Sequence, residues 1–269
     1  MTLDKRIDVH VGQQTFTYNI CKQDNTSKTT LWSQNIRKMK KHLVNKFDKK
    51  TLPSLPRVLY EGRIVVVITE EVAEKAVDFL LSHNILGIDT ETRPCFTKGR
   101  QNKVALLQVS THNDCFLFRL NQLSDSPAVK RLLEDRKVLK VGLSLHDDIN
   151  SLSKRFTFKP GFFLDLQNIM KELGIEDLSL AKLYANLFGM KISKREQLSN
   201  WEADVLSEKQ KRYAATDAWA CINLYEEYLR LKKTHDYELE IVSPPAQTTG
   251  NPGIADGQTS ENMPKTSEE

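Results

Sequence analysis

No apolar run in the 269 residues approaches the roughly 20 that a helix needs to cross a bilayer. The opening stretch, MTLDKRIDVH, lacks the apolar core of a secretory leader. Both absences predict a cytoplasmic chain without a membrane partner, with a nuclear one equally compatible in a eukaryote. Cysteine is scarce. Cys21, Cys95, Cys115 and Cys221 lie far apart with no C-x-x-C spacing. That excludes a disulfide framework and a thiolate zinc site and predicts reduced thiols. No internal repeat is visible. What is present is ordinary: 39% hydrophobic and 28% charged residues, enough for a full core in one or two domains.

The net charge of +4 is unevenly spread. Residues 1–60 hold twelve Lys and Arg against four Asp, whereas residues 241–269 hold one Lys against four acids. That last stretch is rich in Pro, Gly, Ser and Thr and predicts a disordered acidic tail. Residues 1–30 show no strong period. From Trp32 the apolar positions Trp32, Ile36, Met39, Leu43 and Phe47 fall at helical spacing, among Arg37, Lys38, Lys40, Lys41, Lys46 and Lys49. This predicts a basic amphipathic helix over 32–50, ended by the prolines of TLPSLP. Residues 1–56 thus read as a basic extension, suited to a solvated face or a nucleic-acid contact.

After Gly62 the pattern alternates. RIVVVIT, ILGIDTE, NKVALLQVST, DCFLFRL, KVLKVGL and FFLDL read as strands, with helices over EEVAEKAVDFLLSHN, PAVKRLLED and His146–Arg155 between them. Ser207-Glu208-Lys209-Gln210 matches a capping box and opens a long helix to about Lys232. The order predicts an α/β layer with a mixed sheet.

Chemistry concentrates in carboxylates. In ILGIDTET, Asp89 and Glu91 are two apart on a strand, so they share a face. Such neighbours repel unless something positive lies between them. Asp148 sits near the start of a helix that follows a strand. Asp217 sits in the last long helix, with Tyr213 four residues earlier on the same face. Converging carboxylates without His or Cys suit hard divalent cations. Two such ions about 4 Å apart can hold both the attacking and the leaving oxygen of a phosphoryl transfer.

The D-x-E of GIDTETRP, the Asp of LSLHDDINSL and the Y-x-x-x-D of YAATDAWA resemble the three motifs of the DEDD superfamily of 3′-5′ exonucleases, tyrosine subclass. That group includes ribonuclease D and the Werner-type exonuclease domains. KVALLQVST and LSNWEADVLSEKQKRYAATDA look closest to the Werner-type branch. The resemblance covers about Tyr60 to Lys232, inside a domain over 57–235. It implies a ribonuclease H-like fold, a mixed five-stranded sheet flanked by helices. It also implies two Mg²⁺ or Mn²⁺ ions per active site, held by Asp89, Glu91, Asp148 and Asp217, with Asp89 bridging and Tyr213 orienting the attacking water. In HDDINSL the family's acid stands four residues before a Leu, which selects Asp148, with Leu152, over Asp147.

The implied activity is removal of nucleoside 5′-monophosphates from the 3′ end of DNA or RNA. The rivals are a silent nuclease-fold binding or scaffold protein and a phosphotransfer enzyme acting on a small nucleotide. Candidates for nucleic-acid contact are Thr92, Arg93, Lys98, Arg100, Lys103, Lys191, Lys194, Arg195 and Trp201, the last also a candidate for core packing. The sequence shows no helicase or polymerase motif, so such a partner would act in trans.

Overall fold

The computed structural model describes residues 5–11, 14–20, 40–97, 99, 101–123 and 125–242. It divides into two units, 1–40 and 41–269. In the first, β1 (Lys5–Val11) and β2 (Gln14–Ile20) form an antiparallel hairpin that pairs Ile7 with Tyr18 and Val9 with Phe16. The alternation of Ile7, Val9, Val11 and Phe16, Tyr18, Ile20 is a strand pattern that the reading of 1–30 as unpatterned passed over.

The second unit begins with a correction. Residues 41–44 are a strand, β3 (Lys41–Val44), followed by a 3-10 turn over Lys49–Ser54. The helix expected over 32–50 does not form there; its portion over 32–39 lies outside the described residues, as does the acidic tail from 243 onward. β3 pairs in parallel with a strand almost two hundred residues later, Tyr237–Glu240, and Leu43 is fully buried. Partners that distant override a local helical period. Removing residues 1–56 would strip this strand, whereas a cut after Lys40 falls between the units.

The main sheet has β4 (Arg63–Val67), β5 (Ile85–Thr92), β6 (Val104–Ser110), β7 (Asp114–Arg119), β8 (Leu139–Gly142) and β9 (Phe163–Asp165), in the order β4-β7-β6-β5-β8-β9. The β5–β6 and β6–β7 pairs are antiparallel and the other three are parallel. It therefore has six strands where five were expected. The short β9 forms a complete parallel ladder on β8, from Lys140↔Phe163 to Gly142↔Asp165. The closing strand beside β3 is β10 (Tyr237–Glu240).

Helices cover both faces. Against one lie α1 (Glu70–Leu81), α2 (Pro127–Glu134) and α3 (Leu145–Ser153), sharing a core with Leu86, Ile88, Leu107, Val109, Phe116 and Phe118. Against the other lie α4 (Leu166–Met170), α5 (Leu180–Phe188) and the long α6 (Glu208–Thr234). The capping box at Ser207 is formed in both directions: Ser207 Oγ accepts from Gln210 N–H, and Gln210 Oε1 accepts from Ser207 N–H. Among the described residues no helix is long and apolar enough to cross a membrane.

Gly87 sets how closely α6 approaches β5. A Cβ there would fall 1.9 Å from the Ala218 carbonyl oxygen, so backbone meets backbone at this crossing. Gly87→Ala should push the helix outward and cost at least about 1–3 kcal/mol of stability. A urea midpoint unchanged from the wild type would show that the helix yields freely.

Candidate active site

That close crossing builds the site. Along β5 the side chains alternate. Leu86 and Ile88 enter the core beneath α1–α3. Gly87, Asp89 and Glu91 face α6. On α6, Tyr213 and Asp217 are one turn apart. One oxygen each from Asp89, Glu91 and Asp217 lies within 4.8 Å of the others.

Three carboxylates this close cannot all ionise without compensation. Burial holds Asp89 well above the ordinary carboxylate range, with the charges of Asp148 and Asp217 adding to it. Burial and then Asp89 push Glu91 up to about 10. Burial raises Asp217 to about 7, against the downward pull of the Tyr213 hydroxyl and the Lys194 ammonium. The Tyr213 hydroxyl is held firmly protonated by burial and by the Asp217 and Glu91 charges.

Asp148 approaches from the first turn of α3 and stands outside the close group of three. Its Oδ1 accepts from the Thr90 hydroxyl at 2.5 Å. Burial raises it to about 6, and its charge is felt by both Asp89 and Glu91. Asp147 is exposed, which separates the two neighbours. The start of α3 is tied down by Asp165 of β9, which accepts from Ser144 N–H at 3.1 Å and Leu145 N–H at 2.8 Å. This holds Ser144 in a left-handed conformation (φ 61°), unusual for a residue with a side chain. Sequence reasoning missed Thr90, Asp165 and Gly87; of these, only a glycine inside a strand carries a signal.

A cleft of about 340 Å³ opens onto the carboxylates, its walls including Leu143, Leu178, Leu180, Ile192, Lys194 and Cys221. Lys194 is exposed at its edge, with Nζ 3.3 Å from Ser179 Oγ. Arg93, Lys103 and Arg195 are also exposed, and Arg93 bonds to Glu202 at 3.3 Å. Thr92 is half-buried at the end of β5. Lys191 is committed elsewhere, its Nζ donating to the Pro53 carbonyl. Lys98 and Arg100 lie outside the described residues. Trp201 is corrected as a contact residue. It is fully buried, with its ring 6.0 Å from that of Tyr213, so it backs Tyr213 and offers no face for a base.

The donor set fits a hard cation. It is all carboxylate, and Asp217 Oδ1 is buried without a hydrogen-bond partner. The one thiol in the wall, Cys221, is driven further toward its neutral form by burial and donates to the Asp217 backbone carbonyl at 3.3 Å. A cation would satisfy the orphaned oxygen and remove the repulsion together.

A sequence profile for the 3′-5′ exonuclease family matches residues 64–232. The chain belongs to this family. It is 29% identical over 181 residues to the bifunctional 3′-5′ exonuclease/ATP-dependent helicase WRN of Mus musculus, covering 65% of this chain and 13% of that protein. It is 33% identical over 166 residues to exonuclease 3′-5′ domain-containing protein 2 of Drosophila melanogaster, covering 60% and 28%. The chain thus spans less than a third of either relative. The crystal structure of the Aedes aegypti Nibbler EXO domain matches with a TM-score of 0.59 at 23% identity, over 66% of this chain and 92% of that one. The likeness is one of fold: the α/β, ribonuclease H-like arrangement of a mixed sheet between helices.

Proposed function

We propose that this exonuclease-family protein is a metal-dependent 3′-5′ exonuclease releasing nucleoside 5′-monophosphates from the 3′ end of DNA or RNA. The observation that carries the reading is the meeting of Asp89, Glu91 and Asp217 oxygens within 4.8 Å at the floor of a cleft. Asp89, Glu91 and Asp217 would hold Mg²⁺ or Mn²⁺, with Asp148 completing a set for two ions. Bound there, two such ions activate water and stabilise the charge that develops in an in-line displacement.

The residues of the chain do the rest. Tyr213, held protonated, orients the attacking water toward the terminal phosphodiester. The apolar wall of Leu178, Leu180 and Ile192 receives the terminal nucleotide. Lys194, with Arg93, Lys103 and Arg195 and the undescribed Lys98 and Arg100, supplies positive charge for the phosphates, contacts that position the strand without reading its sequence. A helicase or polymerase would join in trans.

The test uses 5′-labelled and 3′-labelled DNA and RNA oligonucleotides with Mg²⁺, Mn²⁺ or EDTA. A 5′-labelled substrate should shorten one nucleotide at a time and a 3′-labelled one should release labelled mononucleotide at once. No cleavage of either polymer in either metal would overturn the reading.

Tyr213→Phe should lower turnover by about 10²-fold, well short of the loss in Asp217→Ala, because orienting a water is a weaker lever than holding a cation. Single-turnover rates compare the two directly. Equal losses would mean that Tyr213 chiefly holds α6 in place.

A further inference from the structure

Gln108 lies in the middle of β6, fully buried, and neither its amide nitrogen nor its amide oxygen has a hydrogen-bond partner. A donor or acceptor left unpaired in the interior costs about 1–3 kcal/mol, whereas an apolar side chain of the same shape costs nothing of the kind. Packing alone therefore does not account for a glutamine here.

The register does. Gln108 stands directly opposite Asp89 in the antiparallel β5–β6 pair. Residues so opposed share a face, with Cβ atoms roughly 4.5–5.5 Å apart. Across the other edge of β6 its partner is Leu117, in the core that contains Trp201 and Tyr213. Above this stretch α6 presents Ala214, Ala215 and Ala218, all fully buried and all small. Side chains this small leave room between helix and sheet for a longer polar one from β6. The Asp89 carboxylate is pressed by burial and by the like charges of Asp148 and Asp217.

We propose that Gln108 is a positioning residue whose Nε2, unpaired in the structure, turns to donate to the Asp89 carboxylate when a cation binds, fixing which of its oxygens faces the cation. The inference rests on reading Asp89 as a cation ligand. A neutral amide suits the task. It orients the carboxylate without cancelling its charge, where a Lys or Arg would compete with the cation for it.

The test uses the full chain with Gln108→Leu and Gln108→Met, both close to glutamine in volume and neither able to donate. Mn²⁺ affinity is measured by calorimetry without substrate, alongside the melting temperature in EDTA and kcat and KM on an oligonucleotide. Loss of a residue that orients a metal ligand typically weakens metal binding or activity 10–100-fold, and the same range is expected here. KM should stay within about twofold, because the substrate contacts are untouched. The melting temperature should hold or rise, since two unpaired polar atoms are gone. A packing role predicts the reverse, a lower melting temperature with Mn²⁺ affinity and kcat unchanged in the folded protein, and that result would overturn the proposal. Should the leucine variant fail to fold, the methionine variant carries the same comparison, its flexible thioether following the path of the amide. Wild-type protein that binds no Mn²⁺ would overturn the reading of the whole site. Wild-type binding matched by both variants would overturn the role of Gln108 alone.

Discussion

Asp89→Asn should reduce cleavage by on the order of 10³-fold or more while leaving the protein folded. The change preserves shape and removes one charge. Asp89 is the residue where the β5 alternation, the Asp217 carboxylate and the influence of Asp148 meet, so no neighbouring oxygen can replace it. The same substitution should leave stability in EDTA at pH 8 unchanged or higher, because a neutral amide ends the repulsion among buried carboxylates. Lost activity with retained stability is the pattern of a residue held in a costly environment for function. Single-turnover rates on a 5′-labelled oligonucleotide and thermal melts measure the two halves. An active variant, prepared free of wild-type enzyme, would remove Asp89 from the cation set.

The second large effect couples pH, cations and stability. Asp217 rises to about 7 and Asp148 to about 6 in the folded protein, from an ordinary value of 3.8. A carboxylate raised on folding binds its proton more tightly in the native state. Its contribution is complete below the unfolded value and is lost as pH climbs through the folded one. Without cations the melting temperature should therefore fall from about pH 4 upward, through about pH 6–7 as Asp148 and Asp217 ionise and on toward about pH 10 as Glu91 does. The Asp217 shift alone corresponds to on the order of 4 kcal/mol. Mn²⁺ should restore stability and do so more strongly at pH 8 than at pH 5, since it binds the ionised carboxylates. At a hundredfold excess over its dissociation constant the gain is about 2.7 kcal/mol. Melting curves from pH 4 to 8, in EDTA and in Mn²⁺, test both signs. A flat EDTA series with no Mn²⁺ shift at pH 8 would show that these carboxylates do not form a cation site.

Much of this architecture was legible because its determinants are local. The capping box at Ser207 marked where α6 begins, and the period of two in ILGIDTET set Asp89 and Glu91 on one face. The i, i+4 spacing of Tyr213 and Asp217 did the same for the helix. What escaped depends on partners far along the chain. KHLV satisfied a helical period with Trp32, Ile36 and Met39, yet its backbone pairs with residues 237–240. Trp201 could have been a base platform or core, and only its burial behind Tyr213 separates the two. Gln108 is one polar letter in an apolar run. Its interest arises from standing opposite Asp89, a register no spacing in one strand encodes.

The pairing of β3 with β10 also has a mechanical consequence. The strands run parallel; the chain enters the second unit at the start of β3, and β10 is the last strand of that unit among the described residues. Lys41 N–H bonds to the Asp236 carbonyl at one end of the ladder, and Asn45 N–H to the Glu240 carbonyl at the other. Tension applied between residues 40 and 241 would slide the strands lengthwise past each other, loading the rungs of the ladder together. The short pair acts as a shear clasp, diverting a pull on the flanking segments away from the crossing of β5 and α6 where the carboxylates meet.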